Sequence, residues 1–271
     1  MTALSDLQLK LDRAESHLDG LSKEIQDVVE NHSVTIEAQH NELDNTHTAI
    51  ITNVPEVRRE WGVVLGDFLH NARSALDHLV SALVVVSGGT VTNRHQFPIC
   101  DTPQQWQSRV AQASPAQNWL GSVDPSHVAV IETLQPYQPT TGLKSLATLA
   151  RFSNADKHRL IHGTVINITQ EPQLSGIMAV PLEITQVNYL ALTPGSTLQD
   201  GAPLARYRVR PVVGINPAGE MVSPGADVRI AVRVNLTTAF GEPGSEDTRI
   251  RDFRGCLTDA RAIVERFASV L

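Results

Sequence analysis

A chain of 271 residues, 41% hydrophobic and 19% charged, is long enough to bury a core and has the composition of a globular protein, which excludes disordered and fibrous classes. A net charge of −7 argues against a broad electrostatic grip on DNA, and two cysteines without metal-finger spacing argue against a disulfide framework. Aromatic residues make up 4%, so an aliphatic core is expected.

No apolar run reaches the roughly 18 residues of a membrane span, and the N-terminus lacks the basic-then-apolar pattern of a secretion signal. These features, with two cysteines read as reduced thiols, predict a cytoplasmic protein without a membrane partner. Leu4, Leu7, Leu11, Ala14, Leu18, Leu21, Ile25 and Val28 recur at three- and four-residue steps, which predicts a helix over 4–30 with an apolar seam of about four heptads. "SVTIEAQ" and "HTAIITN" flank the turn-like "NELDN" and predict a hairpin over 33–53. A long central helix follows over 55–86, with Pro55 in its first turn and Ser-Gly-Gly at 87–89 as its stop.

"RHQFPIC" reads as extended, because Pro98 disfavours helix before it. Short helices are expected near 103–113, 125–134 and 141–162, the last two separated by "LQPYQPTTG". From 163 to 240 the pattern turns β-rich, with "GTVINIT", "ARYRVRPVV" and "ADVRIAVRVNL" among the runs; Val228, Ile230, Val232, Val234 and Leu236 alternate with polar neighbours. Ile250, Phe253, Leu257, Ala260, Val264, Phe267 and Leu271 restore the helical rhythm, with "SED" at 245–247 as cap and acidic first turn. The expected architecture is α+β: a helical bundle with a hairpin over 1–162, an antiparallel sheet over 163–240 inserted before the last helix, and a helix over 245–271 packing back on the bundle. The two terminal seams can pair within one chain or serve a homodimer.

"LHNARSALDH", residues 69–78, concentrates the chemistry. At about 100° per residue, Val64, Leu65, Phe68, Leu69, Ala72, Leu76, Leu79, Val80, Ala82 and Leu83 share one arc. Asp67, His70, Asn71, Arg73, Ser74, Asp77 and His78 share the other. A solvated helix face is usually built of Glu, Lys and Gln, yet 67–83 contains no Lys and no Glu. His, Asn, Ser and Asp each cost up to about 0.7 kcal/mol in helix propensity against Ala, and their short side chains suit fixed networks. A polar cleft is therefore expected here. His78 or His70 can act as general acid or base, Asp77 can orient a histidine, and Arg73 can meet a phosphate.

"SNADKHRLIH", 153–162, is the second dense cluster. Ser153 and Asp156 are spaced as a helix cap and its third-position acid, and Gly163 suits a helix exit. Asn154, Asp156, Lys157, His158 and Arg159 are candidate binding residues. His158 and His162 are four apart, which on a helix is metal-ligand spacing. Arg206, Arg208 and Arg210 alternate along one strand and Arg229 and Arg233 along another; in adjacent strands they would form one cationic face for phosphates, and otherwise the exposed side of a half-buried sheet.

As an ordered set, "GDFLHNARSALDHL", "FPI", "LQPY" and "NADKHR" resemble an uncharacterised bacterial protein family over about 60–160. More distantly, Arg73-Ser-Ala-Leu-Asp-His78 is similar to the Arg-X4-His motif of HEPN domains. That resemblance implies a helical, metal-independent ribonuclease without cofactor, acting across a dimer, with Arg73 and His78 at the scissile phosphate. Asp77, His70, Ser74 and Asn71 would support them, and Lys157 and His158 would complete the cleft. Other HEPN members only bind nucleotides or nucleic acid, so a non-catalytic nucleotide-, RNA- or ligand-binding module is the second expectation. A metal-dependent hydrolase on His70, His78, Asp156, His158 and His162 is the third, and a packing network without ligand is the fourth.

Overall fold

The computed structural model of the chain describes residues 3–31, 34–114, 117–158, 161–167, 174–177, 182–190, 198–211, 229–232, 236–241 and 248–271. They form an α+β protein with two compact units, one of residues 1–23, 58–163 and 240–271, the other of 24–57 and 164–239. Among the described residues no helix is long and apolar enough to cross a membrane.

The first unit is helical. Helix α1 (Ala3–Asn31) begins it, and within the unit Leu7, Leu11, Ala14, Leu18 and Leu21 are all buried, as the seam requires, while Leu9, off the seam, is exposed. Helix α6 (Ile250–Arg266) buries Phe253, Leu257, Ala260, Ile263 and Val264 along its own stripe. The two helices meet. Arg261 reaches Asp12 and Glu15 of α1 at 2.8 Å each, and Arg254 reaches Asp19 at 2.8 Å. These ion pairs are solvent-facing and each contributes no more than about 1 kcal/mol, so the apolar seams hold the pair and the charges set its register. The start of α6 is capped by Asp252, whose carboxylate accepts the Arg249 backbone N–H at 2.8 Å. The proposed "SED" cap at 245–247 lies outside the described residues.

Helix α2 (Arg59–Val86) runs through this unit and packs on helix α5 (Ser145–Asp156) and on α6. Phe253 sits at their junction, edge-on to Phe152, Phe68 and Phe240 with centroids 4.9, 6.0 and 6.2 Å away. Scarce aromatics are thus concentrated: four of the six phenylalanines form one cluster, where each ring pair adds about 0.5–1.5 kcal/mol beyond its buried area. The core is aliphatic around this aromatic centre.

Helix α2 starts four residues later than its sequence suggests. Pro55 precedes it instead of occupying its first turn, because the Val54 N–H donates to Asp200 Oδ1 at 2.7 Å and a residue before proline is steered away from helical angles. The helix ends at Ser87, followed by Gly88 at φ +76, as the Ser-Gly-Gly stop predicts.

Residues 93 and 94 form a turn, 95–100 carry no regular secondary structure, and 97–100 are buried. Helix α3 (Pro103–Trp106), capped by Thr102, runs into a wider π-type turn over Gln107–Ala111, and helix α4 (Pro125–Thr133) is capped by Asp124. The 134–144 loop folds back tightly: a Cβ on Gly142 would stand 2.4 Å from the Gln135 carbonyl, so only glycine fits there. Helix α5 is shorter than expected and stops at Asp156, and His162 begins strand β3 (His162–Asn167). Ser153 is therefore inside a helix and not its cap, and Gly163 is in a strand and not a helix exit. Short-range spacing alone had placed them; the α2 and α6 contacts of α5 decide where the helix lies.

The second unit is built on a four-stranded antiparallel sheet, ordered β1 (Thr35–Asn41), β2 (Thr46–Thr52), β6 (Pro203–Pro211) and β5 (Leu182–Tyr189). The expected hairpin exists, but it belongs to this sheet and not to the helical body, because β2 finds its second partner in β6. Its turn is closed by Asp44, which accepts from the Thr46 N–H and hydroxyl at 3.1 and 2.6 Å, and by Asn45 at φ 52. Ile51, Leu198 and Leu204 form a small core with Val34, Ile36, Val54 and Ala202 against it. Strands β4 (Leu174–Ile177) and β7 (Arg229–Val232) pair separately. Arg206 and Arg208 are exposed on β6, with Tyr207 buried on the opposite face. The single cationic face does not form between adjacent strands, since Arg229 is on β7, which pairs with β4 and not with β6. Arg233 lies outside the described residues.

Candidate anion-binding site

The polar arc of α2 has two borders, and the helical unit treats them differently. Arg73 and Asp77 lie at one border, one turn apart, and form an ion pair at 3.2 Å. Both are also tied to the 95–100 segment. Asp77 Oδ1 accepts the Phe97 N–H at 2.8 Å, and the Arg73 guanidinium donates to the Phe97 carbonyl. Both backbone groups of Phe97, in a buried segment without regular secondary structure, are thus satisfied by two helix side chains. Burial pulls Arg73 below its ordinary pKa, Asp77 opposes that shift, and Arg109 adds to it. Arginine remains protonated through such a shift at neutral pH.

Arg109 arrives from the π-type turn. It donates to the Ile99 carbonyl at 2.8 Å and lies over the Trp119 ring, 4.7 Å from its centroid. These contacts fix the guanidinium in place and leave it without a carboxylate partner among the described residues. From the third side α5 contributes Ala150, Ser153 and Asn154, and its C-cap residue Lys157 follows. Together with Gln96 and Ile99 they enclose a cavity of about 150 Å³. Ser153 is one of the lining residues; its hydroxyl is buried and has no hydrogen-bond partner among the described residues, which costs about 1–3 kcal/mol.

Cys100 is next to Arg109, with Sγ at 4.0 Å, and burial pushes its thiol up. It stays a neutral thiol and adds no charge. Three cations, Arg73, Arg109 and Lys157, therefore line the cavity together with the amide residues Gln96 and Asn154, and Asp77, paired with Arg73, is not among the lining residues. Such an excess of positive charge suits an anion. No histidine lines the cavity.

The other border is open. His78 is exposed; burial and then Lys10 of α1 lower its pKa, with Asp77 and Asp6 opposing. It does not line the cavity. Asn71 turns back on its own helix, donating to the Asp67 carbonyl at 2.8 Å, and Ser74 is half-buried. His70 is exposed and near Asp156. Asp156 is pressed onto α2: a Cβ on Gly66 would stand 2.6 Å from its Oδ1, so glycine permits the approach of α5. Burial raises the Asp156 pKa, Asp67 raises it further, and His70 opposes.

Of the second polar segment, Asn154 and Lys157 join the cavity, Asp156 faces Gly66, and His158 is exposed past the helix end. Arg159 lies outside the described residues. His158 and His162 do not share a helix face, because α5 has ended before either. Among the described residues no group of three metal-capable side chains exists. As cavity-lining residues, Arg109, Trp119, Gln96 and Ser153 carry no signal in the sequence. No periodicity or motif marks Arg109; the fold alone brings it to Arg73. Compared with protein families, characterised proteins and solved structures, the chain matches none.

Proposed function

We propose that the helical unit is a HEPN-like, non-catalytic binding module whose Arg73–Arg109–Lys157 cavity holds a phosphate group of a nucleotide or RNA. The observation that carries this reading is the charge imbalance of the cavity lining, which holds Arg73, Arg109 and Lys157 and no carboxylate. The cavity volume of about 150 Å³ is below the roughly 300–1,000 Å³ of sites that enclose a drug-sized ligand. A phosphate group enters and the remainder of the ligand lies outside. Trp119 offers no stacking platform on the face that Arg109 covers.

Ribonuclease chemistry on the same motif requires an acid or base at the phosphate. Within one chain Arg73 faces the cavity and His78 does not, so cleavage would need a second chain to present its own His78 there. Hydrolysis of a single-stranded RNA in chelator, lost in both Arg73→Ala and His78→Ala, would establish that route.

Calorimetric titration with AMP tests the binding reading. Lys157 is exposed at a helix end, so Lys157→Ala keeps the fold, checked by an unchanged melting temperature. It is expected to weaken AMP binding at least about tenfold, and salt is expected to weaken binding to the wild type. A wild-type protein that binds neither AMP nor a short oligoribonucleotide at millimolar concentration rules the reading out.

A further inference from the structure

We infer that the cavity selects a terminal phosphate monoester over an internal phosphodiester. This rests on the phosphate-binding reading and names its ligand class. Arg73 is already paired with Asp77 at 3.2 Å. The charges left for a ligand are those of Arg109 and Lys157, neither of which has a carboxylate partner among the described residues. Two uncompensated positive charges match a dianion. A phosphate monoester carries about −1.5 to −2 at pH 7, its second pKa lying near 6, whereas a diester carries only one negative charge.

Geometry points the same way. A terminal phosphate has a single ester oxygen leading out and three oxygens to be bound. Arg109 is held by the Ile99 carbonyl and the Trp119 ring, so it presents its remaining N–H groups in a fixed direction. Gln96 and Asn154 add neutral amide groups to the lining. An internal phosphodiester must lead chain away in two directions, which a space of about 150 Å³ walled by α2, the 95–100 segment and α5 does not favour. The source of the monoester, free phosphate, mononucleotide or the end of an RNA, is separable by experiment.

The ligand, and not the protein, should then set the pH dependence. The charged groups that line the cavity are Arg73 on α2, Arg109, and Lys157 after α5; the titratable groups in contact with them are Asp77, paired with Arg73, and the Cys100 thiol, beside Arg109. None is a histidine. Burial raises the Cys100 pKa, away from the neutral range.

Binding of AMP, cyclic 3′,5′-AMP, inorganic phosphate and sulfate is measured on the full chain by calorimetry between pH 5 and 7.5, beside a pair of oligoribonucleotides with and without a 5′-phosphate. AMP is expected to bind at least about tenfold more tightly than its cyclic diester and to weaken as the pH falls through its own second pKa near 6. Sulfate, a dianion throughout, is expected to show no such weakening. Lys157→Gln, which removes one of the two uncompensated charges, is expected to shrink the preference for AMP over cyclic AMP to about threefold or less. The 5′-phosphorylated oligonucleotide outbinding its hydroxyl form places the site on RNA ends, and AMP binding without that preference places it on mononucleotides; either supports the monoester, whereas inorganic phosphate binding without AMP overturns it. Equal binding of AMP and cyclic AMP overturns the selectivity and leaves phosphate binding intact. Absence of binding by every probe removes both.

Discussion

The two borders of the α2 polar arc are both polar and meet opposite fates. Arg73 and Asp77 are closed in by the 95–100 segment, the π-type turn and α5, and their charges are spent on Phe97 and on each other. His78, on the far border, is exposed, and Asn71 bonds only to its own helix. A helix face does not become a site because its residues are unusual. It becomes one where a second element walls it, so that desolvation makes each charge and donor count.

If that contrast is right, the largest effect should come from Asp77. Asp77→Ala strips a buried guanidinium of its partner and leaves the Phe97 N–H without its acceptor, with an expected loss of about 3–5 kcal/mol in urea unfolding. A loss below about 1 kcal/mol would erase the distinction between the borders. Gly66 should rank next. Gly→Ala inside a helix normally gains up to about 1 kcal/mol, but here the added carbon would meet Asp156 Oδ1 at 2.6 Å, so a net cost of about 1–2 kcal/mol is expected. Pairing it with Asp156→Ala should recover most of that cost; an unrecovered loss would place the crowding elsewhere.

On the open border, His78→Ala should change stability by no more than about 0.5 kcal/mol at pH 7.5. Its pH signature sharpens the comparison. The folded pKa is below the ordinary histidine value of 6.5, so the unfolded chain takes up its proton first as pH falls. The contribution is present above 6.5 and lost as pH drops through the lower folded value. Melting temperatures across that window should fall less steeply in His78→Ala than in the wild type, and identical slopes would show that the imidazole feels no burial. The smallest effect is expected at Asp156. Its folded pKa is raised, so the favourable contribution exists below the unfolded value of 3.8 and is lost as pH rises through the folded value. The ionised carboxylate is then a cost at neutral pH, and Asp156→Asn should stabilise by about 0.5 kcal/mol or less, since surrounding water screens most of the repulsion. The gain should vanish near pH 3.5.

Much of this fold can be read locally. The Leu7-to-Leu21 and Phe253-to-Val264 stripes state which faces are buried, and the Pro98 segment and the "NELDN" turn mark themselves by backbone chemistry. The site is legible by half. Arg73, Asp77, Asn154 and Lys157 stand out by residue type, yet Arg109 is an ordinary arginine in "WQSRV" and Ser153 reads as a cap. His78 and His158 drew the eye by chemistry and stay outside the cavity.

Periodicity and propensity by themselves determined the helices, the hairpin, the late sheet and the unusual polar arc, because each depends on neighbours a few residues apart. Which border of that arc faces a cavity, which sheet the hairpin joins and which cations share a space were decided only by tertiary packing. Those outcomes depend on segments tens of residues apart, held by Phe97, Arg109 and Gly66, whose roles have no local signature.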